Sequence, residues 1–153
     1  MALWSIMAAP LIMSSDLRQM EPQFKDILQN KNMIFINQDK LGIMGKQFSQ
    51  KYSGAQVWSK EMDNDLKAFV FYNPLPYGTP TNVKLTLKEL NLVEHATYNL
   101  YETFSGQLLG QYKSSDSFNA TVNPSGSVFT FWAEPSKKNK KPALKKTLKN
   151  KKN

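Results

Sequence analysis

The chain of 153 residues has no cysteine and a single histidine, His95. The first absence excludes a disulfide framework and thiolate-held metals, though not an oxidising compartment. The second excludes most histidine-built metal centres and triads of the Ser-His-Asp kind. Its most apolar stretch, residues 1–13, is too short to span a membrane. Acidic residues are missing after Glu134, and residues 136–153 carry nine lysines. Of the formal charge of +8, this tail therefore supplies +9 and the other 135 residues −1. A nucleic-acid partner is not indicated, since that needs basic residues spread over a folded face. Too charged to bury and without aromatics, the tail is expected to be a disordered, solvated extension, with attachment to an anionic surface as the functional alternative. The 41% of hydrophobic residues is enough for one modest core.

Residues 1–13 have the length of a signal peptide's apolar region, but no Lys or Arg precedes Arg18. The alternative is a buried helix over residues 2–9, stopped by Pro10 and followed by a buried strand over 11–14. Composition leaves the two open. Pro22 then suits the first turn of a helix whose Phe24, Ile27 and Leu28 recur at helical spacing. The short apolar run Met33-Ile34-Phe35-Ile36 fits helix or strand equally. After Gly42 and Gly45 the texture changes. Residues 83–88 and 118–122 alternate apolar and polar, whereas 67–72 and 128–132 are apolar on both faces, as strands lying between two packed layers are. Turn residues separate them, as at Asn73-Pro74, Ser105-Gly106 and Asn123-Pro124-Ser125-Gly126. About eight strands fit between Gly45 and Glu134, the pattern of an antiparallel β-sandwich.

The order of several motifs carries a resemblance. The run Met1-Ala-Leu-Trp-Ser-Ile-Met-Ala-Ala-Pro-Leu-Ile-Met-Ser-Ser-Asp-Leu-Arg18, followed by Ile36-Asn37-Gln38-Asp39 and Leu41-Gly42, resembles the end of the catalytic barrel of α-galactosidases and α-N-acetylgalactosaminidases, glycoside hydrolase family 27. Beyond it, Val57-Trp58 resembles the family's first sandwich strands, Asn99-Leu100-Tyr101-Glu102 an Asp-Leu-Trp-like strand, and Asn123–Gly126 the turn before the last strand. Lys40 stands where a proline is usual and Asn99 where an acid is common, and the lysine tail has no counterpart. The resemblance implies a mixed fold: the last βα elements of a (β/α)8 barrel over residues 1–43, an antiparallel sandwich of about eight strands over 44–135, then the tail. It makes residues 1–9 a barrel helix, 11–15 the eighth strand and 22–37 the closing helical region, in place of a signal peptide. Taken without the other strands, residues 1–42 would leave apolar surface and strand edges uncovered. This part is expected to be poorly ordered or aggregation-prone in isolation while the sandwich folds.

The implied reaction is two-step retaining hydrolysis of terminal α-linked galactose or N-acetylgalactosamine on glycolipids, glycoproteins or oligosaccharides. It needs two carboxylates about 5 Å apart across the scissile bond, at the C-terminal ends of barrel strands. The family's two aspartates and its specificity loop belong to earlier strands, and no segment here matches them. The resemblance therefore implies no catalytic residue in this chain, no cofactor and no metal, and a piece that is inactive alone. Ser15, Asp16 and Arg18 are candidates for the rim of the sugar pocket. Equally simple, and favoured, is a turn capped by Asp16 with Arg18 in an ion pair to the barrel. Asp63-Asn64-Asp65 looks like a calcium loop but lacks its glycine and distal glutamate, so a polar turn is the better reading. Glu61, Glu89, Glu94 and Glu102 read as solvated. Trp58 and Trp132 lie in strands, where packing is expected, and Tyr77 in a Pro/Gly loop is the aromatic best placed for exposure. Asn119-Ala120-Thr121 is a glycosylation sequon whose alternation turns Asn119 away from the core. By resemblance the full product is lysosomal, vacuolar or secreted, and homodimeric, without nucleic acid or a transmembrane segment. Two further functions stand as alternatives: a non-catalytic carbohydrate-binding or interaction module, and a small secreted basic protein.

Overall fold

The computed structural model describes residues 1–52, 54–94 and 96–136. His95 and residues 137–153, with the readings made of them, lie outside the described residues. Eight strands follow three short helices: β1 (Lys46–Tyr52), β2 (Ala55–Glu61), β3 (Lys67–Asn73), β4 (Thr81–Thr86), β5 (Thr97–Glu102), β6 (Leu108–Lys113), β7 (Ser117–Val122) and β8 (Ser127–Pro135). They form a six-stranded sheet in the order β1-β2-β3-β8-β5-β6 and a two-stranded sheet of β4 and β7. Every pairing is antiparallel. The sandwich expected from the alternating segments is therefore present.

Its core follows from that alternation. Val83 and Leu85 of β4 and Phe118, Ala120 and Val122 of β7 face Val57, Phe69, Phe71, Leu100 and Phe131 of the large sheet. Phe131 ties the layers together, with ring centroids 5.0 Å from Phe69, 5.5 Å from Phe71 and 4.8 Å from Phe118. The stacked, edge-on and tilted geometries among these rings are ones that aromatic quadrupoles favour.

The opposite face of the large sheet is also covered, by helices. These are α1 (Ala2–Ile6), α2 (Pro22–Leu28) and α3 (Lys31–Asn37). Ala2 and Ile6 of α1 and Met33 and Ile36 of α3 bury against Met62, Ala68 and Val70, with Trp58, Tyr72, Val128 and Trp132 packed around them. β3 is thus buried on both sides, which explains its lack of alternation. The second layer is helical, and the two tryptophans pack under it rather than between the sheets.

One open reading closes toward helix, as the resemblance implied for residues 22–37, and two expectations change. Residues 33–36 are helical because Asn30 caps the helix, its side chain accepting from the backbone N–H groups of Asn32 and Met33 at 3.1 and 3.0 Å. The first helix ends at Ile6 rather than residue 9, since Ala8 takes a left-handed φ of 52°. No strand forms over residues 11–14. Ile12 N–H instead bonds back to Pro10 O at 2.9 Å, and no described strand lies alongside to satisfy an extended ladder. Within residues 1–42, α1 and α3 share a core with the sandwich. In contrast, α2 buries no residue and leaves Phe24 and Ile27 exposed.

Gly45 is where the chain passes from helices to strands. Its N–H donates to Ile6 O at 2.8 Å, and a Cβ there would sit 2.6 Å from that oxygen and 3.0 Å from Ser59 O. Backbone on both sides cannot yield cheaply, so Gly45→Ala is expected to destabilise by about 1–3 kcal/mol in chemical denaturation. In hydrogen exchange, α1 and α3 should be protected together with β3, while α2 exchanges early. Equal exchange across all three helices would contradict the shared core.

Candidate functional site: the seam between helices and sandwich

The Ile36-Asn37-Gln38-Asp39 motif lies where the helical segment meets the sheet; Asn37 braces the helical segment internally and Asp39 reaches across to the sheet. Asn37 Nδ2 donates to Ala9 O at 2.8 Å and Trp4 O at 3.4 Å, which closes the end of α1. Asp39 is nearly buried, and each of its carboxylate oxygens accepts a backbone N–H: Leu41 to Oδ1 at 3.1 Å and Asp63 to Oδ2 at 3.0 Å. Asp39 thereby fastens the start of the strand region to the β2–β3 turn. At the other end of α3, Asn30 and Asn32 donate side-chain N–H groups to Phe104 O and Thr103 O, both at 2.8 Å.

Lys60 completes the seam. It extends from the helix-facing side of β2, opposite the small Ala68, and is 1% exposed. Its ammonium donates to Ile36 O and to Asn37 O, carbonyls of the last turn of α3. A cation at a helix C-terminus complements the helix dipole and the carbonyls that lack intrahelical partners. Burial holds the Lys60 pKa below its ordinary 10.5, with the charge of nearby Asp39 opposing that shift. Sequence reasoning missed this residue because a lysine at an outward strand position reads as solvated. The one signal was that its strand faces an apolar helical segment.

The expected site residues are not gathered at the seam. Ser15 and Asp16 are exposed, and Asp16 caps the 3-10 turn Leu17–Gln19, accepting from Arg18 N–H at 3.0 Å. Arg18 pairs in fork fashion with the same carboxylate, Nε to Oδ1 and Nη2 to Oδ2, both at 3.0 Å. That side-chain bond, helped by the backbone one, holds the Asp16 carboxyl below its ordinary value and raises the guanidinium. Asp63-Asn64-Asp65 is a tight polar turn between β2 and β3, with Asn64 and Asp65 at left-handed φ of 59° and 60°. No group of three or more metal-binding side chains occurs among the described residues. The scattered glutamates have surface or capping duties: Glu61 pairs with Lys67 and Glu94 with Lys88, while Glu89 and Glu102 accept the N–H groups of Thr86 and of Phe104 and Ser105. Asn119 is exposed on β7, opposite Lys84 of β4. No described helix is long and apolar enough to cross a membrane.

A helical segment bonded onto the outer face of an antiparallel sandwich is the arrangement of the C-terminal part of α-galactosidase-type glycoside hydrolases, and the family match falls in two parts, one for each segment. Residues 1–39 match the family described as alpha galactosidase A, and 42–126 its C-terminal beta sandwich domain. The chain belongs to this family. It is 39% identical over 131 residues to the alpha-N-acetylgalactosaminidase of Gallus gallus, covering 86% of this chain and 32% of that protein. It is 35% identical over 131 residues to alpha-galactosidase A of Homo sapiens, covering 84% and 30%. The alpha-galactosidase I of Mortierella vinacea has the same fold, with a TM-score of 0.75 and 19% identity over 86% of this chain and 33% of that one. The chain thus spans about a third of the length of these relatives.

Replacing Lys60 by Met removes the donor to the last turn of α3 and should lower stability at neutral pH by about 1–3 kcal/mol. The pH dependence supplies a second reading. Between the lowered folded pKa and 10.5 the unfolded chain binds more protons at Lys60 than the folded one, so this residue makes stability rise with pH across that window. The difference in unfolding free energy between the two proteins should therefore widen as pH climbs toward 10.5. A constant difference would show that burial leaves the lysine unperturbed.

Proposed function

We propose that this chain supplies the last barrel elements and the C-terminal sandwich of a retaining glycosidase acting on terminal α-linked galactose or N-acetylgalactosamine. In this reading residues 1–43 belong to the barrel, 44–135 to the sandwich and 136–153 to the tail. The observation that carries it is the seam: the two family-matched segments share a core and are bonded through the Asp39 carboxylate and the Lys60 ammonium. A sandwich so fastened to the closing helices stiffens the end of a barrel. Exposed Ile12, Phe24, Ile27, Phe35, Ile43 and Met44 support the same reading, as apolar surface that other barrel elements would cover.

The chain alone does not hydrolyse glycosides in this reading. Asp39 spends both oxygens on backbone N–H groups and Asp16 is engaged by Arg18, so neither is free as the nucleophile or the acid/base that retaining hydrolysis needs. Ser15, Asp16 and Arg18 remain candidates for the pocket rim, where the fork-paired Arg18 would orient the turn beside the substrate. The substrates are α-galactosyl or α-N-acetylgalactosaminyl conjugates of the whole enzyme, which we place in a lysosomal, vacuolar or secreted setting and regard as a homodimer.

The 153-residue chain is expected to show no turnover of aryl α-galactoside or aryl α-N-acetylgalactosaminide. Exchanged for the matching C-terminal third of the Gallus gallus relative, it should sustain hydrolysis by the hybrid. A folded hybrid without activity, or an active isolated chain, would overturn the proposal. Produced through a secretory pathway, the chain should lose mass on treatment with an N-glycanase, and Asn119→Gln should abolish that loss without shifting Tm, because the side chain packs against nothing in the core.

A further inference from the structure

We propose that the loop of residues 74–80 and the start of β4 form a binding site for a neutral saccharide on the sandwich. Tyr77 is 82% exposed, the most exposed of the large hydrophobic side chains among the described residues. It directly precedes Gly78, which with Leu75, Thr79, Pro80, Thr81 and Asn82 lines a cleft of about 390 Å³. That lining has no charge, while hydroxyl and amide groups from Thr79 and Asn82 stand beside apolar carbon from Leu75 and Pro80. An aromatic face with adjoining neutral donors and acceptors matches a pyranose, whose C–H face stacks and whose hydroxyls need both kinds of partner. An anionic or cationic ligand would find no counter-charge in the lining. The first charge along this face is Lys84, two residues beyond Asn82 and opposite Asn119.

The loop is held in place, which separates it from an idle surface turn. Asn73 is fully buried; it donates to Thr81 Oγ1 and Val122 O, both at 3.2 Å, and accepts from Leu75 N–H at 3.2 Å. From the β7–β8 turn, Ser125 N–H donates to Leu75 O at 2.6 Å and Ser125 Oγ to Pro76 O at 3.0 Å. Leu75 packs over Gly54, where a Cβ would come within 2.9 Å of its side chain. Three prolines between residues 74 and 80 restrict the backbone further. Gly78 reverses the chain after the tyrosine with a φ of 121°. A large aromatic exposed on a loop this constrained loses little freedom when a ligand stacks on it.

The test uses the unglycosylated 153-residue chain, titrated with galactose, N-acetylgalactosamine and raffinose through the millimolar range and followed by amide shifts in two-dimensional NMR. At least one sugar should give saturable shifts centred on residues 75–82. Tyr77→Ala should weaken binding about tenfold or more and Tyr77→Trp should preserve it, the scale of one aromatic stacking contact. Thermal unfolding of both variants should match the parent, since the ring is outside the core. Absence of saturable shifts with all three sugars would overturn the proposal, as would binding indifferent to Tyr77→Ala. Sedimentation that changes with Tyr77→Ala in the absence of sugar, with no sugar response, would assign the face to a second copy of the chain instead. None of these outcomes depends on whether the hybrid enzyme hydrolyses its substrates.

Discussion

The structure depends on the pairing of β3 with β8, whose residues are apolar toward both sides. From this ladder, Phe69, Phe71 and Phe131 point into the space between the sheets, while Ala68, Val70 and Trp132 point under the helices. Seven register pairs from Lys67 with Ala133 to Asn73 with Ser127 hold the two strands side by side. One hydrogen-bonded ladder therefore supports two hydrophobic cores. Each burial is worth the usual tens of calories per Å² of apolar surface, so loss of either side weakens the other through the strands they share.

The polar seam serves that double core in a different way. Apolar contact alone would let α3 slide or rotate over the sheet, because dispersion is weakly directional. Asp39 and Lys60 at one end of α3, and Asn30 and Asn32 at the other, remove that freedom by fixing particular carbonyls and N–H groups. The ammonium of Lys60 is expensive to desolvate, yet it meets the carbonyls of a helix terminus, which would otherwise be left unpaired in the same dry space. A motif recognisable from its residues thus has a mechanical reason for its composition: each polar side chain satisfies backbone groups at an element boundary.

Much of the fold was legible in the chain because a sandwich writes itself as alternation. Residues 83–86 and 118–122 read correctly from period two, although the first strand ends at Thr86 and leaves Leu87 and Lys88 in a turn, and the two-sided character of 67–72 and 128–132 revealed layers on both faces. The residues that resisted were those whose state depends on distant partners. Met33-Ile34-Phe35-Ile36 had no period of its own, and the Asn30 cap decides it. Residues 11–14 carry strand composition, but a strand exists only beside another. The candidate site was less legible. Asp16 and Arg18 were read as a turn cap and an ion pair, and the structure pairs them with each other. Lys60 was invisible because burial of an outward lysine is decided by a helix more than twenty residues earlier. Exposure of Tyr77 followed from its Pro/Gly loop, whereas the side-chain bonds that pin that loop come from Asn73 and Ser125.

The close approach of Gly45 to Ile6 bears on how such a chain can be divided. Composition changes abruptly at this glycine, and a modular view of proteins would cut there. The cut would pass between two surfaces that bury each other, leaving Ala68 and Val70 bare on one product and Ile6 and Ile36 bare on the other. The change in amino-acid texture thus marks a change in architecture and not a place where the material comes apart. Recombination or engineering that respects the joint would keep the closing helices with the sandwich and move the break upstream of them.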